Sequence, residues 1–246
     1  MTPFEVVIIA LGGLASGFIN TLAGGGSAIT LPILTEIVGP SVANGTNRVA
    51  VQLANIAAVF GFARGGKLEW RRVVAIIPFA IVGAALGAWT ATQLSGDAIR
   101  TIIGVVLVLV AVSVLVRPSR WVEGREGEWP SWVRSIVFVV LGFYGGFIQA
   151  GVGFMLLAAL VFGVGFDLVT GNAAKVLLIA TYTPIALFLF ARAGQVDYAV
   201  GAVLAVGQVF GALIAARMAI RRGADWVRWI LIGAALLAAG RLLFFS

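Results

Sequence analysis

The chain has 246 residues, of which 61% are hydrophobic and only 11% charged, with a mean hydropathy of +1.08; this balance excludes an ordinary soluble globular domain. A formal net charge of +7 would suggest a nucleic-acid partner in a soluble protein, but here the basic residues gather in short stretches between apolar runs and read as topology signals, with no nucleic acid implied. With no cysteine and no histidine, the chain has no disulfide framework, no thiol chemistry and no imidazole for metal binding or proton relay.

Backbone in lipid must satisfy its own polar groups, which leaves helices or a closed barrel. The unbroken apolar runs 73–94 and 101–116 decide for helices, so the expected fold class is all-α, a polytopic membrane protein. Met1-Thr2-Pro3-Phe4-Glu5 lacks the basic start of a cleaved signal peptide, and the first apolar stretch is expected to be retained. The spans expected in chain order are 4–21, 27–38, 49–63, 73–94 and 99–116, then 134–149, 154–165, 173–191, 196–217 and 226–245. At ~1.5 Å per residue the second and seventh are too short to cross ~30 Å of hydrocarbon as straight helices, so each is expected to be broken, tilted or re-entrant.

Both short segments follow glycine-rich interruptions. Asn20-Thr21-Leu22-Ala23-Gly24-Gly25-Gly26-Ser27 precedes the second, and Gln149-Ala150-Gly151-Val152-Gly153 precedes the seventh. A duplication relates the two halves: Phe62-Ala63-Arg64-Gly65-Gly66-Lys67-Leu68-Glu69-Trp70 parallels Phe190-Ala191-Arg192-Ala193-Gly194-Gln195-Val196-Asp197-Tyr198, Arg48 falls opposite Lys175, and Gly17-Phe18-Ile19-Asn20 lies opposite Gly146-Phe147-Ile148-Gln149. Residues 1–116 and 134–246 are accordingly expected as two five-helix repeats, joined by a cytoplasmic linker, 117–133.

Loop charges give the orientation. Arg64, Lys67, Arg71 and Arg72; Arg117, Arg120, Arg125 and Arg134; and Arg217, Arg221, Arg222 and Arg228 share one side if all ten segments cross, and the positive-inside rule makes that side cytoplasmic. Equivalent loops exchange their bias between the halves, the mark of an inverted-topology repeat, which places both termini outside.

In transporters of this build, glycine-interrupted helices at corresponding positions point to the substrate site. The candidate residues around the breaks are Asn20, Gly24, Gly25, Gly26 and Ser27 in the first half, and Gln149, Gly151 and Gly153 in the second. A broken helix offers free N–H groups and the positive end of its dipole to an anion. The alternative is that such glycines only permit close helix packing, as expected for Gly13 with Gly17 and Gly83 with Gly87. Asn47 and Arg48 lead into a helix on which Arg48, Gln52 and Asn55 recur at i, i+4 and i+7 as one polar stripe; Asn172 and Lys175 lead into a second with Thr181 and Tyr182. Two readings of Arg48 and Lys175 stand side by side: contacts for an anion in the cavity, or side chains snorkelling to the headgroups.

Glu36 and Asp167 lie near expected helix ends and read as solvated or salt-bridged termini, while Trp121, Trp129 and Trp132 read as interfacial anchors in the lipid. Metal-ligand clusters and nucleophile triads are absent, and Gly24-Gly25-Gly26-Ser27 lacks the lysine of a P-loop. No cofactor is implied, and no paired carboxylate lies inside the spans, which argues against an enzyme.

The glycine run Gly24-Gly25-Gly26-Ser27, the segment Ala43-Asn44-Gly45-Thr46-Asn47-Arg48 and the phrase Arg64-Gly65-Gly66-Lys67 resemble the sulfite exporter TauE/SafE family over essentially the whole chain. The resemblance implies a compact protein of the cell membrane, bacterial or archaeal, that exports sulfite or organosulfonates. It also implies a shared core of Asn20, the glycine run, Asn47 and Arg48, with Gln149, Gly151, Gly153, Asn172 and Lys175 as counterparts. A secondary transporter of a small sulfur-containing oxyanion is the leading expectation; an anion channel and the membrane subunit of a larger assembly are the rivals.

Overall fold

The computed structural model describes residues 1–105 and 129–244, with side chains followed to 230 except at 228. The expectations placed on Arg117, Arg120, Trp121 and Arg125, and on the linker as far as 128, lie outside the described residues. The described chain is helical throughout, without a strand.

Local chemistry sets the helix ends. Helix α1, Pro3–Leu22, opens with a capping box in which Glu5 N–H donates to Thr2 Oγ1 (3.3 Å) and Thr2 N–H to Glu5 Oε2 (2.7 Å), followed by proline at its first position. It stops where Gly24 takes φ 86°. Helix α2, Ser27–Val38, ends at Gly39 (φ 78°), and Pro40 starts α3, Pro40–Arg64. The expected span 73–94 is divided into α4, Trp70–Val74, and α5, Ile77–Thr92, because Pro78 lacks the N–H that would continue the ladder. Helix α6 runs from 96 through 105. Helix α7, Ser131–Phe147, is followed by α8, Val152–Ala158, whose last turns widen into a π-helical stretch, Ala159–Gly163. Helix α9, Leu168–Arg192, is capped by Asp167, which accepts from Val169 N–H (2.8 Å), Thr170 N–H (3.1 Å) and the Thr170 hydroxyl (2.5 Å). Burial works to raise the Asp167 pKa, yet these hydrogen bonds and the Lys67 charge carry it below the ordinary carboxylate value. Helix α10, Tyr198–Phe244, is broken at Gly223 (φ 74°).

Two expected boundaries move. Asn44 to Arg48 and Gly171 to Lys175 lie inside α3 and α9, not ahead of them. Prolines and cap residues upstream, Pro40 and Asp167, start these helices earlier than the apolar pattern alone suggests.

Among the described residues three helices are long and apolar enough to cross a membrane: Pro3–Leu22, Leu168–Arg192 and Tyr198–Val227. Helix α3 matches them in length but carries six buried or half-buried polar side chains, from Asn44 to Asn55. The surface is apolar where a soluble protein would be polar: Phe4, Leu11, Phe60, Leu86, Val140, Phe188 and Phe210 are exposed, while Arg48 and Lys175 are fully buried. This inside-out pattern suits a lipid surround. Trp70, Trp132 and Trp229 are exposed near helix starts and bends, but Trp129 turns inward, its ring covering Gly163 and its backbone N–H donating to the Gly163 carbonyl at 3.0 Å.

Helix α2 doubles back along α1, since Gly12 faces Ile33, Gly26 faces Ser16, and Ile9 shares an apolar cluster with Leu34. Helix α8 doubles back along α7, its far end meeting Trp129 just ahead of α7. At ~1.5 Å per residue the twelve residues of α2 reach ~18 Å, about half a bilayer. The turn after α3 lies by the end of α8, where Arg72 donates to the Val164 carbonyl and stacks on Phe166 at 4.5 Å. The turn after α9 lies at the start of α3, where Asp197 N–H donates to Thr46 Oγ1 at 2.9 Å. The length of α3 separates these two turns, so they stand at opposite ends of the bundle.

Glycine seams join the halves. A Cβ on Gly17 would run into the backbone of Gln208 and one on Gly211 into the Leu14 carbonyl, which fixes α1 against α10. In the same way Gly83 meets the Val139 carbonyl and Gly146 the Ala84 carbonyl, fixing α5 against α7. Bare backbone on both sides of a seam lets two helices approach more closely than side chains would allow.

Candidate functional site

The two breaks touch. Gly24 and Gly153 lie backbone against backbone, so a Cβ on either would collide with the other. Gly25 lies under the ring of Phe154, and Gly26 packs on the Ser16 carbonyl and Asn20. In the second break Gly151 takes φ 72°, and Gln149 takes φ 67°, a left-handed conformation that is uncommon outside glycine. The Tyr144 hydroxyl holds this turn by donating to the Ala150 carbonyl.

Each break leaves the final carbonyls of its first helix without intrahelical donors. A cation from the opposite half supplies them. Lys175, on α9, donates from Nζ to the carbonyls of Asn20 (3.0 Å) and Thr21 (2.9 Å) at the end of α1, and to Asn172 Oδ1 (2.6 Å). Arg48, on α3, donates from Nη1 to the Gly145 carbonyl (3.0 Å) and Gln149 Oε1 (3.5 Å), and from Nη2 to the Gly146 carbonyl (2.5 Å) and Asn44 Oδ1 (3.3 Å). Its guanidinium also stacks on Phe190 at 4.6 Å. Both cations are therefore fully buried at helix C-termini, where the dipole favours positive charge, and neither reaches a headgroup. Among the described residues the one ion pair is Arg72 with Glu69, so neither buried cation has a carboxylate partner.

The polar residues around the first break are tied together. Asn47 accepts from the Thr30 hydroxyl (2.8 Å) and donates to Ser27 Oγ (3.1 Å), pinning α2 to α3. Asn44 donates across the halves to the Phe147 carbonyl at 2.8 Å. The stripe expected on α3 does not converge on one point. Gln52 donates to the Ala180 carbonyl of α9 (3.2 Å), and Asn55 turns back onto the Val51 carbonyl of its own helix (2.7 Å). Thr181 is likewise bonded within α9, to the Leu178 carbonyl at 2.8 Å.

Several buried polar atoms have no partner: Arg48 Nε, Gln149 Nε2 and the Tyr182 hydroxyl around the second break, Asn172 Nδ2 beside Lys175, and the side-chain oxygens of Gln52 and Asn55. The Tyr182 hydroxyl stands over Gly145, where a Cβ would meet it at 2.6 Å. Gly145 is also the residue whose carbonyl accepts from Arg48. Sequence reasoning missed Thr30 and Asn44 as hydrogen-bonding residues and the carbonyls of Gly145 and Gly146 as acceptors. Thr30 sits in an apolar run without a polar neighbour to flag it, and a backbone acceptor has no residue signature.

The family model described as Sulfite exporter TauE/SafE matches residues 9–242. The probable membrane transporter protein YfcA of Escherichia coli (strain K12) is 27% identical over 258 aligned positions, covering 100% of this chain and 92% of its own. The probable membrane transporter protein ORF9 of Sinorhizobium sp is 28% identical over 230 positions, covering 93% of this chain and 88% of its own. The probable membrane transporter protein YjnA of Bacillus subtilis (strain 168) is 26% identical over 261, covering 97% and 100%. No solved structure matches the chain at a significant level.

Proposed function

Since the chain belongs to the sulfite exporter TauE/SafE family and is a membrane transporter, we propose that it is a secondary transporter that exports a small sulfur oxyanion, sulfite or an organosulfonate, across the cell membrane by alternating access. The observation that carries this reading is the pair of touching helix breaks, each with a buried cation that has no carboxylate partner among the described residues. Broken helices that meet inside a bundle expose polar backbone at a depth where only a protein-lined or water-lined site tolerates it. Positive charge there selects anions.

The reading includes ten segments in two inverted five-helix repeats, residues 1–116 and 134–246, with a cytoplasmic linker at 117–133 and both termini outside. Its support is the recurrence of pairing: α1 on α10 and α5 on α7 through equivalent glycines, and Arg48 and Lys175 on each other's hairpins. The two hairpins also return towards opposite ends of the bundle. Export follows the membrane potential, which favours anion exit from a negative interior and requires no coupling carboxylate.

Uptake and counterflow of labelled sulfite in proteoliposomes test the function. Saturable exchange supports a carrier; current without saturation assigns a channel, and no anion flux removes the reading. The native chain has no cysteine, so a single one placed at Thr2, Gly66 or Gly194 reports topology without background. Labelling of Thr2→Cys and Gly194→Cys from outside and Gly66→Cys from inside is expected, and any other pattern breaks the inverted arrangement.

A further inference from the structure

The second break holds donors without a hydrogen-bond partner among the described residues. Arg48 commits four N–H groups to Gly145, Gly146, Gln149 and Asn44, which leaves Nε–H without a partner. A guanidinium only donates, so the Gln149 oxygen must face it and the Gln149 amide nitrogen must face away. That nitrogen faces the Tyr182 hydroxyl without completing a hydrogen bond of good geometry, although the residue is held in a left-handed turn. Tyr182 is fully buried, its hydroxyl over Gly145 and beside the Gln149 amide, and the absence of a Cβ at Gly145 is what lets the phenol approach. Unsatisfied buried donors are costly unless a ligand completes them. Three donors of this kind match the three oxygens of a pyramidal SO3 group.

Charge limits the ligand further. Two buried cations stand against two helix C-termini of about half a negative charge each, and the helices that restart after the breaks bring two N-termini of about half a positive charge each, so the net charge at the breaks is positive and favours an anion.

Resting on the transport reading above, we infer that Arg48 Nε, Gln149 Nε2 and the Tyr182 hydroxyl form a three-donor cradle for the SO3 group of the transported anion, sulfite or a simple alkylsulfonate. Lys175, whose three donors are all committed, balances charge without touching the ligand.

The test uses the purified full chain in proteoliposomes, with labelled sulfite uptake competed by methanesulfonate, sulfate and thiosulfate. Methanesulfonate, which presents the same three oxygens, competes. Tyr182→Phe raises the half-saturating concentration about tenfold with an unchanged melting temperature in detergent. Gln149→Glu places a carboxylate on Arg48 and abolishes uptake in a protein that still folds. Unchanged saturation in Tyr182→Phe, or failure of methanesulfonate to compete, overturns the cradle and leaves the transporter reading intact. A wild-type protein that moves none of these anions removes that reading and this inference together.

Discussion

The break after α1 and the break after α7 hold equivalent places in the two halves, yet their polar groups are used differently. At the first, Lys175 commits every donor, Asn47 binds both Ser27 and Thr30, and α2 is fastened to α3. At the second, Arg48 keeps one N–H, Gln149 and Tyr182 keep theirs, and Ala174 stands in the place that Asn47 occupies in the first half. Helix α8 is held on α9 by apolar packing and ends in π-helical turns, a form frequent at functional sites. The first hairpin is fastened to its neighbour by side-chain hydrogen bonds and leaves the Asn172 amide unpartnered beside Lys175, whereas the second is held by apolar packing and leaves its unpartnered donors around Arg48.

The largest expected effect comes from disrupting the first break. Lys175→Met strips the Asn20 and Thr21 carbonyls and Asn172 of their donor, a loss of about 3 kcal/mol or more. No monodisperse folded protein is expected in size-exclusion chromatography. Arg48→Lys, by contrast, keeps a charge near Gly145 and Gly146 and is expected to fold while losing uptake, because a point charge cannot hold Gln149 and the helix end at once. If both variants fold and both fail only in transport, the two breaks are functionally alike.

Next in size is the contact between the breaks. Gly24→Ala and Gly153→Ala each force a methyl into the opposing backbone and are expected to lower stability by about 1–3 kcal/mol in thermal melts. Because they remove room from one shared contact, the double variant should fall short of the sum. Gly66→Ala is the control: it has φ 66° but open space around it, and about 1 kcal/mol is expected.

Smaller and confined to one copy is Asn47→Ala, which frees α2 from α3 at about 1–2 kcal/mol while leaving the anion selectivity among sulfite, sulfate and methanesulfonate unchanged. A change in selectivity would move the binding role back to the first break.

Much of this frame was legible in the sequence. The two glycine interruptions and the pairing of Arg48 with Lys175 were readable from parallel stretches of the sequence, which show positions that could correspond. The sequence does not show what they touch. That each cation serves the other half's helix became visible only in three dimensions, because the acceptors are carbonyls of Asn20, Thr21, Gly145 and Gly146, which every residue type possesses. The stripe of Arg48, Gln52 and Asn55 shows the converse. Its spacing is helical, but a helix wedged between α9, α10 and α2 meets a different neighbour at each turn, so the three residues part company.

The exchange of cations between halves also sets an order of events during synthesis. Lys175 emerges after its acceptors and finds Asn20 and Thr21 already made. Arg48 emerges 97 residues ahead of Gly145. At ribosomal speed that interval is roughly five to twenty seconds, during which a guanidinium bound for the interior has no carbonyls to meet. The first half therefore enters the membrane unfinished and is completed by the second.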